Sequence, residues 1–432
     1  MKTTTPAKSK DTEIGPIREE WSVFDLSKCL DLVIDHRGLT PKKLGGDWSD
    51  AGVQAISAKN IKDGQLTNFN EFKFVDEALY KKWMPEELKA GDLLLTSEAP
   101  LGETYLVKDG ERFCLSQRLF ALRTKKDILD PGYLFYFLHT SKGQQELHGR
   151  ATGSVVQGIR QSELLKIEVD APSLAEQKFI ASILSSLDDK IELNRQININ
   201  LEKITSALFK RWFVDFEFPD KNGRPYKSNG GKIVDSELGE IPEGWIIEPL
   251  DKVANFLNGL ALQKYPAESQ TESLPVIKIR ELKTGISEST ERASNKVPSD
   301  YVIKDGEVLF SWSGSLEVKI WTGGLGALNQ HLFKVTSGKY TKWFYYQWVK
   351  WFLPNFQVIA ASKAVTMGHI KREHLTESLV LIPTTTALSS MDSVLSPILE
   401  RVIASSLEVR RLSELRDSLL PRLMSGKIRT NV

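Results

Sequence analysis

Leu115-Ser116-Gln117-Arg118-Leu119-Phe120 returns later in the chain as Leu328-Asn329-Gln330-His331-Leu332-Phe333. Apolar positions recur in register while the polar residues between them change. The surroundings repeat too. Trp21, Leu26 and Leu30 return as Trp245, Leu250 and Ala254, and Lys89-Ala90-Gly91-Asp92-Leu93-Leu94 returns as Lys304-Asp305-Gly306-Glu307-Val308-Leu309. A period of about 210–220 residues is too long for a solenoid unit and fits two whole modules. One fold used twice, with two different surfaces, is the reading.

Each copy runs through short β-type segments punctuated by glycine, such as Asp92-Leu93-Leu94-Leu95-Thr96 and Glu307-Val308-Leu309-Phe310-Ser311. An aromatic helix follows, Tyr133 to Leu138 and Trp343 to Trp348. Matched aromatics in a helical setting point to core packing rather than base stacking. Next come a polar loop, Ala151 to Ile159 and Ala361 to Ile370, and a strand ending in Pro172 or Pro383.

Ser173-Leu174-Ala175-Glu176 then reads as a capping box opening a long helix. Its apolar stripe, Ile180, Leu184, Leu187, Ile191, Ile197, Leu201, Ile204 and Leu208, is interrupted by Asn194 and Asn198. The second copy carries Leu395, Ile398, Val402, Val409, Leu412, Leu415 and Leu419. Pro397 predicts that this helix begins or bends there, capped by Ser396. Two narrow stripes on otherwise polar helices are satisfied most simply by pairing with each other; separate packing of each helix on its own module is the alternative.

The expected architecture is therefore α+β. It comprises a disordered tail (1–20), a first mixed α/β domain (21–172) and a spacer helix (173–214). A linker (215–243), a second mixed domain (244–383), a second helix (384–426) and a tail (427–432) follow. The two helices are expected to pair as an antiparallel coiled coil. The linker is read from Phe218-Pro219-Asp220-Lys221-Asn222-Gly223-Arg224-Pro225, rich in turn formers and without periodicity.

The bulk numbers exclude several classes. With 57 basic and 56 acidic residues the chain carries a formal charge of +1, so nucleic-acid binding would depend on how charge is clustered. No apolar run approaches the roughly 20 residues of a bilayer span, and the Lys/Thr-rich start is no signal peptide. Cys29 and Cys114 lack a CxxC neighbour, which fits reduced thiols in a cytoplasmic protein. The histidines form no HExxH or other metal-ligand spacing. Gly323-Gly324-Leu325-Gly326 reads as a turn, and Asp130-Pro131-Gly132-Tyr133 lacks the second proline of a methyltransferase element. Neither a nucleophile elbow nor a Walker loop appears. Catalysis by this chain is not expected.

Several stretches together resemble the specificity subunit of type I restriction-modification enzymes. They are Ser236-Glu237-Leu238-Gly239-Glu240-Ile241-Pro242-Glu243-Gly244-Trp245, Pro172-Ser173-Leu174-Ala175-Glu176-Gln177, Leu208-Phe209-Lys210-Arg211-Trp212-Phe213-Val214-Asp215-Phe216 and Leu419-Leu420-Pro421-Arg422-Leu423-Met424-Ser425-Gly426-Lys427-Ile428. The resemblance runs from about Trp21 to Lys427. It departs from the family at Thr384-Thr385-Thr386 and Pro397, which replace the expected start of the second helix.

The resemblance implies two target-recognition domains, each reading half of a bipartite, asymmetric site in double-stranded DNA. It implies a helical spacer that docks modification (methyltransferase) subunits and, with them, restriction/translocase subunits. S-adenosylmethionine, ATP and Mg would then belong to those partners and no cofactor to this chain. About 30 helical residues at ~1.5 Å each give a rod of roughly 45 Å, on the order of 13 base pairs at ~3.4 Å apiece. A two-lobed adaptor organising a protein complex without DNA is the rival.

Base readout needs fixed donors and acceptors, chiefly Arg, Lys, Asn and Gln. The candidates lie where the copies differ. They are Lys59, Asn60, Gln117, Arg118, Ser154, Gln157 and Arg160 in the first module. In the second they are Lys278, Arg280, Trp312, Gln330, His331, Lys363, Thr366 and Lys371. Near-neutral charge predicts weak, salt-sensitive DNA binding by the isolated chain.

Overall fold

The structure, a computed structural model, describes residues 9–12, 15–18, 20–269, 271–362 and 368–428. It divides into two compact units, Met1–Asp189 with Ser413–Val432, and Lys190–Leu412.

The first unit is built on a four-stranded antiparallel sheet in the order Leu101–Leu106, Leu93–Ser97, Leu119–Thr124, Leu30–Asp35. A second sheet sets Phe113–Leu115 parallel to Val53–Ile56, with Lys73–Val75 antiparallel on its far side. The strand Ser22–Asp25 pairs with Glu168–Ala171. One core lies around the aromatic helix Pro131–His139, where Tyr133, Leu134, Tyr136, Phe137 and Leu138 are buried. Another, with Trp83, Tyr80 and Ile56, is lined by the second sheet.

The second unit repeats this plan by itself. Its four-stranded sheet runs Val318–Ile320, Val308–Ser311, Leu332–Thr336, Asn255–Asn258, the same order of equivalent strands. The parallel pair is Ser273–Ile277 with Gly326–Leu328, and Ile246–Pro249 pairs with Leu379–Ile382. The aromatic helix is longer here, Lys342–Ser362, and buries Trp343, Phe344, Tyr345, Tyr346 and Trp348. Each side chain of this size removed from water is worth about 1.5–3 kcal/mol, so this cluster is a principal source of the unit's stability.

Each α/β module is followed along the chain by a helix of 40 residues, Leu174–Phe213 and Thr385–Met424, and each helix has residues in both units. These are longer than the ~30 residues expected and span about 60 Å at 1.5 Å per residue. Ser173 Oγ accepts the Glu176 N–H at 3.3 Å, the capping contact read from sequence. The buried Gln177 ties the first turn down: its Oε1 accepts from Asp130 N at 2.9 Å, and its Nε2 donates to Pro172 O and Ile128 O at 3.0 and 3.2 Å. In the second copy Leu388 stands four residues after the cap, as Gln177 does in the first, and the tie is instead Trp343 Nε1 donating to Asp392 Oδ1 at 2.7 Å.

Within the first unit Leu423 and Met424 enter the core with Ile180 and Leu184, and Arg416 Nη1 bonds Asp188 Oδ1 at 2.8 Å. Within the second, Asn198 Nδ2 donates to Ser406 Oγ at 3.0 Å and Ser405 Oγ to Asn194 O at 3.4 Å. Asn194 is fully buried, and neither of its amide atoms has a hydrogen-bond partner among the described residues.

Four expectations are corrected. The second helix does not begin at Pro397 but runs through it from Thr385, capped by Thr384 Oγ1, which accepts from Ala387 N at 3.4 Å. The proline is tolerated because both it and Ser393, whose carbonyl loses its helical donor, are exposed to water. Ser396 is no cap; its hydroxyl donates to Asp392 Oδ1 at 2.8 Å. The segment read as a linker is folded. Ile233–Ser236 and Gly239–Pro242 form a hairpin, and Phe216, Phe218 and Ile241 are buried with Trp245 in the second unit's core. Turn-rich composition concealed these anchors. Of the residues expected to form a disordered tail, Ser9–Thr12 pairs with Gly15–Arg18 as a short antiparallel hairpin.

Candidate nucleic-acid interface

The sequence repeat that reveals the fold places its variable residues at the start of an inner strand of each four-stranded sheet, Leu119–Thr124 and Leu332–Thr336. In the first unit the turn before Leu119–Thr124 carries Gln117 and Arg118, both exposed, with Arg118 at a φ of +64°. Arg118 O accepts from Ser97 N at 2.8 Å, and Ser97 O accepts from Ile159 N at 2.9 Å. Glu98 bridges to Gly158. In the second unit Trp312 N donates to His331 O at 3.4 Å, Ile370 N donates to Trp312 O at 3.0 Å, and Ser313 bridges to His369. The two modules therefore share one backbone scaffold that joins a strand end, the variable turn and the polar loop.

The side chains on this scaffold differ. Glu98 Oε1 lies 3.1 Å from Arg118 Nε, with the guanidinium half exposed. At the equivalent place Ser313 Oγ lies 2.9 Å from His331 Nδ1, a hydrogen bond whose direction follows the imidazole tautomer. Gln330 Nε2 approaches His331 Nε2 at 3.4 Å. Trp312 is held by Nε1 donating to Asn258 Oδ1 at 2.9 Å and to Gln330 O at 3.2 Å, and its ring tilts over His331 and Phe333.

Both modules also stack a guanidinium on the matched phenylalanine. Arg37 sits 3.9 Å from the Phe120 ring centroid, and Arg372 sits 5.6 Å from that of Phe333. The two arginines come from different parts of their copies, which is why sequence reasoning missed them. Arg37 also donates to Ile159 O at 3.2 Å and is forked onto Asp35 at 2.8 Å, so it fixes the loop. Burial would raise the Asp35 carboxyl, but the hydrogen bonds from Arg37 outweigh it and hold the group below the ordinary carboxylate value.

The remaining candidates of the first module are tied to this turn or to the neighbouring strand end through backbone hydrogen bonds of Ala58 and Ile159. Ser154 and Gln157 are exposed on the loop closed by Thr152 and Gly158, and Gln157 Oε1 is 3.1 Å from His148 Nδ1. Arg160 is exposed at the start of the next helical turn. Lys59 and Asn60 join through Ala58 N, which donates to Gln117 O at 3.3 Å. Lys59, Asn60 and Gln117 line an open cleft of ≈ 560 Å³ with Trp48, Lys42 and Lys73. Asn60 is 3% exposed, and its Oδ1 accepts from Ser57 N and Oγ at 3.0 and 2.9 Å, so it holds a turn together.

In the second unit several candidate cations are already paired. Lys278 Nζ is 2.5 Å from Glu291, Arg280 is bonded to Glu281 at 2.7 Å, and Lys371 Nζ is 3.1 Å from Glu373. Lys278 and Arg280 sit at the start of the helix Ile279–Thr284, away from the Trp312–His331 turn in the chain but joined to it through Asn329 N, which donates to Ile277 O at 3.3 Å. Lys363 and Thr366 lie outside the described residues. Among the described residues no cluster of His, Cys, Asp or Glu is arranged to hold a metal ion, and no helix is long and apolar enough to cross a membrane.

Residues 18–203 match the family described as Type I restriction modification DNA specificity domain. The chain is 26% identical to the Type I restriction enzyme MjaIX specificity subunit of Methanocaldococcus jannaschii, over 97% of this chain and 96% of that protein. It is 22% identical to the Type I restriction enzyme HindI specificity subunit of Haemophilus influenzae, over 79% of this chain and 87% of that one. The crystal structure of a type I restriction-modification system S subunit from M. genitalium superposes with a TM-score of 0.57 at 15% identity, covering 97% of this chain and 99% of the other, so the fold is shared. Residues 18–203 thus match the type I restriction modification DNA specificity domain, and the chain as a whole is similar to the type I restriction enzyme specificity subunits.

Proposed function

We propose that this chain is the sequence-reading subunit of a type I restriction-modification complex. Its two modules each contact one half of a bipartite DNA site. The carrying observation is the shared scaffold with exchanged chemistry: an acid–guanidinium pair, Glu98 with Arg118, where the other module has a hydroxyl–imidazole pair, Ser313 with His331. Equivalent backbone with different donors and acceptors is what two readers of different base sequences require.

The long helices act as the spacer in this reading, paired antiparallel as a coiled coil. The Asn198–Ser406 and Asp188–Arg416 hydrogen bonds, each within one unit, support that pairing. A seam with Asn194 buried in it favours one register over others, at some loss of stability. The chain itself is non-catalytic and docks modification and restriction subunits, which bring S-adenosylmethionine, ATP and Mg. The specificity-subunit descriptions of the relatives named above do not favour the rival adaptor without DNA. Methylome sequencing of a host expressing this chain with its methyltransferase tests the proposal. A bipartite methyl-adenine motif that disappears when this chain is removed is expected. Methylation that persists unchanged without it refutes the reading.

A further inference from the structure

The loop closed by Thr152 and Gly158 ends in an apolar tip. Val155 is 93% exposed and Val156 51% exposed. Scattered exposed valines are ordinary, but here two adjacent ones crown a loop whose other exposed side chains are polar. Nor is the loop a slack segment. Thr152 and Gly158 exchange both backbone hydrogen bonds, at 2.9 and 3.0 Å, and Gly158 bridges to Glu98. Gly153 has a φ of +113°, and a Cβ there would fall 2.2 Å from Val156 O, so the tight turn requires glycine. The backbone is thus built to hold two valines in water, with Ser154 and Gln157 beside them.

We propose that Val155 and Val156 contact a thymine C5-methyl group in the major groove of the half-site that the first module reads. This rests on the DNA-reading function proposed above. The thymine methyl is the apolar feature of the major-groove base edges, and small apolar groups read it by excluding water. Side chains that pry base steps apart are longer ones such as Phe, Leu, Ile and Met. Branched valines suit surface contact with a methyl, and their stiff χ1 leaves little rotamer freedom to lose. The occupant is also indicated by position: the tip belongs to the loop that bridges to Glu98, which pairs with Arg118. Polar readers and an apolar reader would then approach the same base pairs.

The test uses the full chain assembled with its modification subunit and duplexes carrying the site that the complex methylates. Each thymine is replaced in turn by deoxyuridine, which removes only the methyl. One or two positions, in one half-site only, are expected to lose roughly three- to ten-fold in affinity. The double variant Val155→Ser with Val156→Ser should bind the unmodified duplex that much more weakly and no longer distinguish deoxyuridine at those positions. Val155→Thr, which keeps a methyl and the branched shape, should restore part of the discrimination. Specific binding with no deoxyuridine penalty anywhere overturns the proposal, as does a double variant that still discriminates. A complex with no preference for any duplex sequence overturns the DNA-reading function as well.

Discussion

Glu98 and Arg118 face each other at 3.1 Å across the mouth of two strands, and Ser313 and His331 occupy the same two backbone places at 2.9 Å in the other module. In each pair one partner comes from the turn that differs between the repeats, and the other comes from the end of the neighbouring strand. Arg118 and His331 are each oriented by a second side chain; in the DNA-reading role proposed above, that would lower the ordering loss on binding.

Arg118→Ala should relax base preference in one half-site and leave the other unchanged, while His331→Ala should do the converse. A good bidentate contact is worth about 1–3 kcal/mol of discrimination against the wrong base. Methylation-motif sequencing of the two variants reads the outcome. Loss of preference in both halves from a single substitution would contradict the assignment of one module to each half.

Asn194→Leu should stabilise the second unit. The buried amide has no partner, and leaving such a group unsatisfied costs about 1–3 kcal/mol. Urea unfolding should show a higher midpoint for the variant. A lower midpoint would mean that the seam has no room for the branched side chain or satisfies the amide in another way.

Removing one turn from each long helix, Asn194–Ile197 with Ile403–Ser406, should shorten the gap between the two methylated half-sites. Four residues remove about 6 Å of rise, comparable to about two base pairs at ~3.4 Å each. An unchanged gap in the methylated motif would sink the spacer role.

Arg410 clamps the second long helix to its module by two 2.9 Å hydrogen bonds to Asp305. Burial would raise the Asp305 carboxyl, but Arg410 and the Gly324 N–H lower it below its ordinary 3.8. A depressed folded value means that this contribution is complete above about pH 4–5 and is lost as pH falls through the still lower folded pKa. With both groups partly exposed it amounts to about 1 kcal/mol or less. Arg410→Gln should therefore narrow the stability difference from wild type as acid is added, as measured by thermal melts between pH 7 and 3.

Burial pushes the Cys29 thiol up to about 11 and the Cys114 thiol to about 12. Neither should react appreciably with iodoacetamide at pH 8 in the folded protein, since the thiolate is the nucleophile. Both should be labelled in denaturant. Rapid labelling of the native protein, detected by mass spectrometry, would show that one of these cores opens.

The repeat was legible because apolar strand positions such as Leu119–Phe120 and Leu332–Phe333 must face equivalent cores. The variable turn between Ser116 and Leu119 followed from the same alignment. Its partners did not: Glu98 is brought to Arg118 by sheet order, which no local pattern encodes. Asn60 looked like a reader because exposure cannot be told from residue type, whereas its carboxamide holds a turn. Phe216 and Phe218 were hidden among glycines and prolines, although aromatics in such a segment are natural anchors. Pro397 sits inside the helix at a cost, from the lost hydrogen bond and the ring's clash with the preceding turn, that the packing of the helix outweighs and that hydration of the exposed Ser393 carbonyl lessens.

Leu423 and Met424 complete a core begun by Ile180 and Leu184, so the first unit is assembled from two stretches separated by the whole of the second. A ribosome adds roughly 5–20 residues per second, so the roughly 220 residues between Asp189 and Ser413 take on the order of 10–45 s. For that interval the newly made first module waits with one flank of its core bare.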